Sequence, residues 1–343
     1  MKGTVLLDPH PRTVDLLFSK ERMRALKKLC TVRDHDGERM PAEMVEKWLP
    51  EAVVVIGQTD LPRERLERAK KLRAIINVEG NFQQNIDYDC CFERGIHVLN
   101  AGVAYAPAVA EMCVGFAIAL ARGICEADRK FREGKEIYGR VSNGQAYLLR
   151  GKRVGLIGFG NLGRALVPLL RPFGCTLSVT DPWLPERYLR SEGLEPLTLK
   201  ELLRTSQIVF LLAGATSDNE GMIGREELNL LPKGSAFILA SRASLVDFEA
   251  LTELLKQGRF SAAIDVFPEE PFPRNHPLRA LPNVLLSPHH AGGLPDTYEL
   301  MSDLVLDDLS LLLKGLPPVR LQRADRETVL LLRSRPVKWR GRA

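Results

Sequence analysis

Three segments of the sequence place reactive side chains just after runs of apolar residues. These segments read FILASRASLVD, AAIDVFPEEP and VLLSPHHAGG, and the side chains in question are Arg242, Asp265, Glu269, Glu270, His289 and His290. A guanidinium can orient and polarise an oxygen-bearing group, an imidazole can move a hydroxyl proton, and a carboxylate can tune that imidazole. Such a set fits the oxidation or reduction of a carbon that carries a hydroxyl group.

A glycine-rich segment upstream indicates the second reactant. Residues 154–166 read VGLIGFGNLGRAL, with the spacing G-x-G-x-x-G between a strand-like and a helix-like run. In that context Gly158 permits a tight turn, Gly160 lets the backbone approach a pyrophosphate, and Gly163 lets the helix pack closely on the sheet. The helix N-terminus would add N–H groups and partial positive charge. The segment therefore predicts a dinucleotide site.

An acidic residue in the next strand indicates which dinucleotide is bound. Asp181 lies 18 residues beyond Gly163, close to where a carboxylate accepts hydrogen bonds from both ribose hydroxyls. A carboxylate there repels a 2′-phosphate, and Pro182 rather than an arginine follows it. We therefore expect NAD rather than NADP. The alternative is that Asp181 only caps the following helix.

Alternating strands and helices must position these residues. Apolar strand-like runs separated by polar helical segments start near residue 52, and a second series of six begins at residue 151: RVGLIGFG, TLSVTD, QIVFLLA, SAFILAS, FSAAIDVF and NVLLSPH. This rhythm predicts parallel sheets with crossover helices, the second of them doubly wound. Residues 107–131 are apolar at helical spacing and predict one long helix connecting two lobes.

Composition narrows the class of protein. The chain has 343 residues, of which 45% are hydrophobic and 27% charged, as in a globular protein of two domains. It contains no run of 18 uncharged apolar residues, and its first residues meet proline and charge before a secretory segment could form. We expect a cytoplasmic protein with no membrane partner. The six cysteines show neither a C-x-x-C pair nor histidines at zinc spacing, so we expect reduced thiols and no metal site.

The net charge of +5 resides in the C-terminal segment. Residues 321–343 carry seven basic and two acidic side chains, whereas the rest of the chain is close to neutral. A nucleic-acid-binding protein usually spreads basic charge over a face with aromatic or groove-reading elements, and here only Trp339 interleaves. We therefore expect a solvated or subunit-packing tail and no nucleic-acid partner.

Taken together, these motifs resemble those of the D-isomer-specific 2-hydroxyacid dehydrogenases, which include phosphoglycerate dehydrogenase and glyoxylate/hydroxypyruvate reductase. The resemblance runs from about residue 52 to residue 300. Besides the glycine loop and Asp181, it is carried by NID at 85–87, VAE at 109–111, SRASLVD at 241–247, DVFPEEP at 265–271 and SPHHAGG at 287–293. It implies a Rossmann doubly wound sheet, residues 105–292, inserted into a smaller flavodoxin-like α/β substrate domain, residues 1–104 and 293–343.

The resemblance also implies a role for each reactive side chain. Arg242 matches the arginine that binds the substrate carboxylate and keto oxygen, and His289 matches the histidine that protonates that oxygen during reduction. Glu270 matches its carboxylate partner, which keeps the imidazole a usable acid, while His290 is expected to be structural and Glu269 solvated. The implied cofactor contacts are Gly158, Gly160, Asn161, Leu162, Gly163, Asp181, Ala213, Thr216, Ser241, Asp265 and His289.

The implied substrate loop departs from the family pattern. In the family, backbone N–H groups of this loop meet the substrate carboxylate; its residues here are Val78, Glu79, Gly80, Asn81 and Phe82. We expect the acid of Glu79 and the ring of Phe82 to stand at the mouth of the site and to change which substrates fit.

Two further departures concern the substrate and the turn after Arg242. Where phosphoglycerate dehydrogenases have arginines for the substrate phosphate, the matching positions are Ile56 and Val78, which disfavours 3-phosphoglycerate. Ala243 replaces the usual glycine after Arg242 and reduces local backbone freedom without excluding activity.

Two functions remain open at this point. The first is an NAD-dependent dehydrogenase that acts on a small D-2-hydroxy acid. We expect this protein to be a homodimer joined through the helix at 107–124. The second is a catalytically weak NAD(H)-sensing interaction protein of the same fold, favoured by the altered loop and the basic tail but disfavoured by the retained Arg242, Glu270 and His289. Formate oxidation is disfavoured because such enzymes replace Glu270 with glutamine.

Overall fold

The computed structural model describes residues 3–35, 39–144 and 146–331 of the chain. It divides into two compact units: unit 1 comprises Met1–Tyr105 and Gly293–Ala343, and unit 2 comprises Ala106–Gly292. The first division lies one residue beyond the expected position between residues 104 and 105. Five basic residues of the predicted tail, from Arg333 onward, lie outside the described residues.

The helices and strands of the described residues alternate along both units. The strands are β1 (Thr4–Asp8), β2 (Thr31–Asp34), β3 (Ala52–Gly57), β4 (Ala74–Asn77), β5 (His97–Asn100), β6 (Arg153–Ile157), β7 (Thr176–Thr180), β8 (Glu195–Pro196), β9 (Ile208–Leu211), β10 (Ala236–Leu239), β11 (Ser261–Ile264), β12 (Val284–Leu286) and β13 (Gln322–Arg323). The helices are α1 (Val14–Leu17), α2 (Lys20–Leu29), α3 (Ala42–Trp48), α4 (Arg63–Arg68), α5 (Tyr88–Glu93), α6 (Gly102–Arg122), α7 (Ile124–Arg132), α8 (Asn161–Leu170), α9 (Glu186–Ser191), α10 (Leu199–Thr205), α11 (Arg225–Leu230), α12 (Phe248–Lys256) and α13 (Pro295–Leu313).

Unit 1 is built on a sheet with the order β2-β1-β3-β4-β5, all parallel, and β13 pairs antiparallel with β5 at one edge. The central strands are apolar and buried on both faces, as expected where helices cover a parallel sheet on both sides. One apolar core lies on each face of the sheet. This is the predicted flavodoxin-like strand order. In it the direction of winding along the sheet reverses between β1 and β3.

Unit 2 is built on a parallel sheet with the order β8-β7-β6-β9-β10-β11-β12, which confirms the predicted doubly wound Rossmann arrangement. The winding reverses between β6 and β9. The sequence predicted six strands, and the structure adds β8, which pairs with β7. A two-residue strand that contains Pro196 has no apolar run by which it could have been recognised.

The long helix predicted over residues 107–131 is two helices, so that prediction was wrong. Gly123, between α6 and α7, has φ +60°, the left-handed conformation in which glycine commonly ends a helix. The side chains of α7 are exposed or half-buried, and those of Ile124 and Phe131 are among the exposed apolar residues.

Helix α6 is long and apolar enough to cross a membrane by length and composition alone. Ala110, Cys113, Ala117 and Ala121 are buried in the core of unit 2, and a core helix of a globular domain has the same character. Packing in the core therefore accounts for the buried part of α6, which is 39% of its most apolar 18-residue window.

Candidate active site

Three neighbouring strands of unit 2 carry the predicted reactive residues at their carboxyl ends. Arg242 follows β10, Glu270 follows β11 and His289 follows β12, and these strands are adjacent and parallel. Side chains that follow parallel strands gather at one edge of the sheet, where open α/β sheets bind their ligands.

His289 and Glu270 are in direct contact. The Nδ1 atom of His289 lies 2.9 Å from Oε2 and 3.1 Å from Oε1 of Glu270, and the two side chains are 49% and 40% exposed. An ionised carboxylate can only accept, so Nδ1 must carry a proton and donate it to Glu270. Within the described part of the chain, the Nε2 atom of His289 has no hydrogen-bond partner, and it faces away from Glu270 on the other side of the ring.

The surroundings of Glu270 keep it ionised. Burial opposes its charge, but the hydrogen bond and the charge of His289, the N–H of Phe267 at 3.1 Å and the charge of Arg242 together lower the pKa of Glu270 below its ordinary value. The ring of Phe267 stacks on Phe272 at 4.3 Å and fixes the turn that carries the carboxylate. Glu269 is exposed, as predicted for a solvated residue.

Asp265 holds the loop that carries His289. It is 1% exposed, and its carboxylate accepts hydrogen bonds from the Ser287 hydroxyl at 2.5 Å, the His290 N–H at 2.9 Å and the Ala291 N–H at 3.1 Å. Between these contacts His289 has φ +56°, a left-handed conformation that is rare outside glycine and persists where surrounding contacts enforce it. The structure therefore shows Asp265 positioning His289, a relation that the sequence did not predict.

Arg242 is half-buried at the start of a short 3-10 helix, Ala243–Leu245. Its Nη1 donates to the carbonyl of Ser241 at 2.7 Å, and its charge is one of those that lower the pKa of Glu270. The hydroxyl of Ser241 is buried, and no partner for it is found within residues 3–35, 39–144 and 146–331. A buried, unsatisfied hydroxyl at this sheet edge fits a ligand that brings its own polar groups.

The glycine loop has the shape of a dinucleotide cradle. Gly158 has φ +96°, and a Cβ there would come within 2.7 Å of the Ala213 backbone. A Cβ at Gly163 would meet the Gly158 carbonyl at 2.8 Å, whereas one at Gly160 meets no heavy atom within 4 Å. The space beside Gly158 and Gly163 is filled by the protein. Gly160 faces open space at the N-terminus of α8, as a bound pyrophosphate requires.

Four other predicted cofactor residues lie on α8 or after β9, the elements that adjoin this loop and its strand. Asn161 and Leu162 begin α8, and Ala213 and Thr216 follow β9 next to the point where the winding reverses. Thr216 is buried, and its N–H donates to the side chain of Asn219 at 2.8 Å.

Asp181 is fixed at the end of β7. Its Oδ2 accepts from the N–H of Phe159 at 2.8 Å and its Oδ1 from the N–H of Trp183 at 3.0 Å. The next helix, α9, has Pro185 at its N-cap, so Asp181 does not cap that helix. Each carboxylate oxygen retains acceptor capacity for a ribose hydroxyl.

The loop of residues 78–82 in unit 1 differs from what the sequence suggested. The side chains of Val78 and Phe82 are 1% and 4% exposed, and the Phe82 ring packs edge-on against Tyr88 with centroids 6.4 Å apart. The expectation of a bulky ring at the mouth was therefore wrong. An aromatic ring gains more from burial in the core than from exposure beside a polar loop. Gly80 and Asn81 are half-buried.

The acid of this loop is paired with residues that the sequence analysis missed. Glu79 Oε1 accepts from Arg12 Nε at 3.1 Å and from Gln58 Nε2 at 3.1 Å, and its Oε2 lies 3.4 Å from Arg12 Nη2. Burial opposes the charge of Arg12, but Glu79 outweighs it and raises the pKa of Arg12. No local sequence signal connects residues 67 positions apart.

Comparisons with known proteins agree with this geometry. Residues 114–291 match the family described as D-isomer specific 2-hydroxyacid dehydrogenase, NAD binding domain. A glyoxylate reductase of Thermococcus litoralis is 32% identical over 280 residues, which are 80% of this chain and 84% of that protein.

Two further relatives carry phosphoglycerate in their names. A D-3-phosphoglycerate dehydrogenase of Methanocaldococcus jannaschii is 32% identical over 276 residues, and the chain spans about half of it, 52% of its length. The crystal structure of a phosphoglycerate oxidoreductase from Rhizobium etli is 43% identical, covers 96% of this chain and 100% of its own, and superposes with a TM-score of 0.87.

Proposed function

The chain belongs to the D-isomer-specific 2-hydroxyacid dehydrogenase family, whose members are nicotinamide-dependent oxidoreductases, and on that premise we propose that it interconverts a small D-2-hydroxy acid and its 2-keto acid. The observation that carries the proposal is the contact of His289 with Glu270, at the same sheet edge as Arg242. A protein that only sensed the dinucleotide would not need an imidazole held in this way.

Residues of this chain would hold NAD in preference to NADP. The open space at Gly160 and the N-terminus of α8 would take the pyrophosphate, and the two fixed oxygens of Asp181 would take the ribose hydroxyls. The carboxylate of Asp181 disfavours a 2′-phosphate. When bound, the reduced nicotinamide supplies the hydride for the keto carbon.

The protein's own groups would handle the substrate and the proton. Arg242 pairs with the substrate carboxylate and polarises the keto oxygen. The protonated imidazole of His289 donates its Nε2 proton to that oxygen as the carbon is reduced, while Glu270 keeps the Nδ1 proton in place and stabilises the imidazolium. In the oxidative direction the neutral Nε2 takes the hydroxyl proton back.

We propose that 3-phosphoglycerate is not the substrate. Ile56 and Val78, the positions that match the phosphate-binding arginines, are 0% and 1% exposed and belong to the core of unit 1. They offer no cation to a phosphate.

We propose a homodimer joined through unit 2 by the helix at 107–124, as the sequence predicts, with α7 and the segment after it extending the interface. This part of unit 2 exposes large apolar side chains: Ile124, Phe131, Ile137, Tyr138, Val141 and Leu148. Several exposed apolar side chains within one stretch of the chain are typical of an interaction site, and a second copy would cover them symmetrically. Sedimentation as a monomer at micromolar concentration would contradict the dimer.

A substrate screen tests the proposed function. Small 2-keto acids with different C3 substituents are offered with NADH and, in parallel, with NADPH, and the oxidation of the cofactor is followed. We expect turnover of at least one acid and a preference for NADH. Binding of NADH without oxidation by any acid would favour the sensing function instead.

A further inference from the structure

The pair of Arg12 and Glu79 occupies a position in unit 1 where ligands bind in folds of this type. Arg12 follows β1, Gln58 follows β3 and Glu79 follows β4, which are consecutive strands of the sheet. The winding reverses between β1 and β3, and open α/β sheets bind ligands outside the carboxyl ends of their strands at this switch point. The three side chains thus lie at the ligand-binding edge of unit 1, on and beside the implied substrate loop.

The charges of this cluster cancel. Two nitrogens of Arg12 face both carboxylate oxygens of Glu79, and Gln58 adds a neutral donor. Glu79 is 13% exposed and Arg12 34% exposed, so the pair is only weakly screened by solvent. The guanidinium also lies over the ring of Tyr298, 5.9 Å from its centroid.

The backbone around Glu79 is held in place. The side chain of Asn77 accepts the Glu79 N–H at 2.8 Å, and the Tyr105 hydroxyl donates to the Val78 carbonyl at 3.0 Å. These contacts fix the backbone of the loop, and the contacts with Arg12 and Gln58 hold the carboxylate in the position described.

We propose that Glu79 is a specificity-determining residue that neutralises Arg12 and thereby restricts the enzyme to 2-keto acids whose C3 substituent carries no second negative charge. This inference rests on the proposed function and adds the substrate class to it. An arginine fork is the preferred partner of phosphate and carboxylate, and a carboxylate that occupies the fork both removes that partner and repels a competing anion. A hydroxyl or other uncharged polar substituent meets no such repulsion.

The test compares two acids that differ by one phosphate. The ratio of kcat/KM for 3-phosphonooxypyruvate to that for hydroxypyruvate is measured with NADH for the wild-type protein and for Glu79→Gln. The amide keeps the shape of the side chain but removes the negative charge that neutralises the guanidinium of Arg12. We expect the wild-type protein to prefer hydroxypyruvate, and the ratio to rise about tenfold or more in Glu79→Gln, mainly through KM for the phosphorylated acid.

Matched variants separate this effect from a structural one. The rise in the kcat/KM ratio must disappear in the double variant Arg12→Gln/Glu79→Gln, because the guanidinium of Arg12 is gone. Glu79→Asp keeps the negative charge and must retain the wild-type preference. Glu93→Gln is the remote control, since Glu93 forms an exposed pair with Arg63 at 2.9 Å in the same unit and should leave the ratio unchanged. Glu79→Ser also removes the charge and replaces Glu79→Gln if that variant does not fold.

Three outcomes would overturn the inference: a wild-type preference for the phosphorylated acid, a ratio that stays within twofold of wild type in the folded Glu79 variants, or a gain that survives removal of Arg12. Turnover of no 2-keto acid by the wild-type protein would instead overturn the proposed function, and this inference with it. The two failures are distinguishable because the first leaves hydroxypyruvate reduction intact.

Discussion

Two sheet edges of this protein carry charged side chains, and they use them in opposite ways. In unit 2, His289 is half-exposed, has one ring nitrogen bound to Glu270, and turns the other away from it. In unit 1, Arg12 and Glu79 neutralise each other and are mostly covered. Under the proposed function, the first arrangement would supply a proton donor to the substrate, whereas the second would withhold a cation from it. We infer that unit 2 performs the chemistry and that unit 1 selects the acid.

Removal of one arginine from each edge should give the largest contrast. Arg242→Gln should lower kcat/KM for every 2-keto acid by about a thousandfold, because under the proposed mechanism it removes the guanidinium that would pair with the substrate carboxylate and keto oxygen. Arg12→Gln should lower it less than about tenfold for acids with an uncharged C3 substituent. Steady-state kinetics with both variants measure this, and equal losses would remove the distinction between the two edges.

Replacement of Glu270 by glutamine should lower kcat by about a hundredfold, within the usual range for lost acid–base catalysis. The pKa of Glu270 in the folded protein lies below its ordinary value of 4.5, so the wild-type carboxylate is ionised throughout the neutral range. Its contribution to stability is present above the unfolded-state pKa and is lost as the pH falls through the folded-state pKa. A pH–stability curve of Glu270→Gln should therefore converge with that of the wild type only at acid pH.

Loss of the hydrogen bonds by which Asp265 holds the loop of His289 should lower kcat moderately. Asp265→Asn removes a charged acceptor from the Ser287, His290 and Ala291 contacts, so His289 loses its fixed position and kcat should fall by about tenfold or more, together with a lower Tm. Glu269→Gln, a change at an exposed carboxylate of the neighbouring turn, serves as the control. An unchanged kcat in a folded Asp265→Asn variant would show that the Asp265 carboxylate does not position His289.

The smallest expected effect on substrate preference concerns Phe82, whose ring is buried in the core of unit 1. Phe82→Leu should leave the order of preferred 2-keto acids unchanged, because the ring is buried against Tyr88, and should lower the free energy of unfolding by about 1 kcal/mol. Denaturant unfolding and the substrate panel measure both. A changed order of preferred 2-keto acids in Phe82→Leu would show that the ring of Phe82 contributes to substrate selection.

Sequence patterns predicted the parts of this fold that rest on local physics. Apolar runs predicted β3, β4 and β5 of unit 1 and six strands of unit 2, but not β1, which lies inside the sheet of unit 1. Glycines at fixed spacing predicted the loop before α8, because a Cβ at Gly158 or Gly163 has no room. Gly123 also carried a local signal, since glycine commonly ends a helix in the left-handed conformation. That signal was overlooked because the apolar periodicity continues past it.

The contacts between distant segments were beyond the reach of these patterns. Arg12 meets Glu79, and Asp265 meets the loop after β12, only because neighbouring strands bring their carboxyl ends together. The resemblance placed Glu79 and Phe82 in one loop, but alternation along that loop does not tell which side chain turns into the core. Selectivity depends on such pairings, which explains why the class of reaction was easier to predict than the substrate.

The central claim is that His289, held by Glu270, moves the proton. Its most direct test is the single-turnover rate of NADH oxidation by an accepted 2-keto acid in His289→Ala, with His290→Ala as the adjacent control. We predict that His289→Ala binds NADH as the wild type does but turns over about a hundredfold or more slowly, and that His290→Ala is close to wild type. A wild-type rate in His289→Ala would contradict the account.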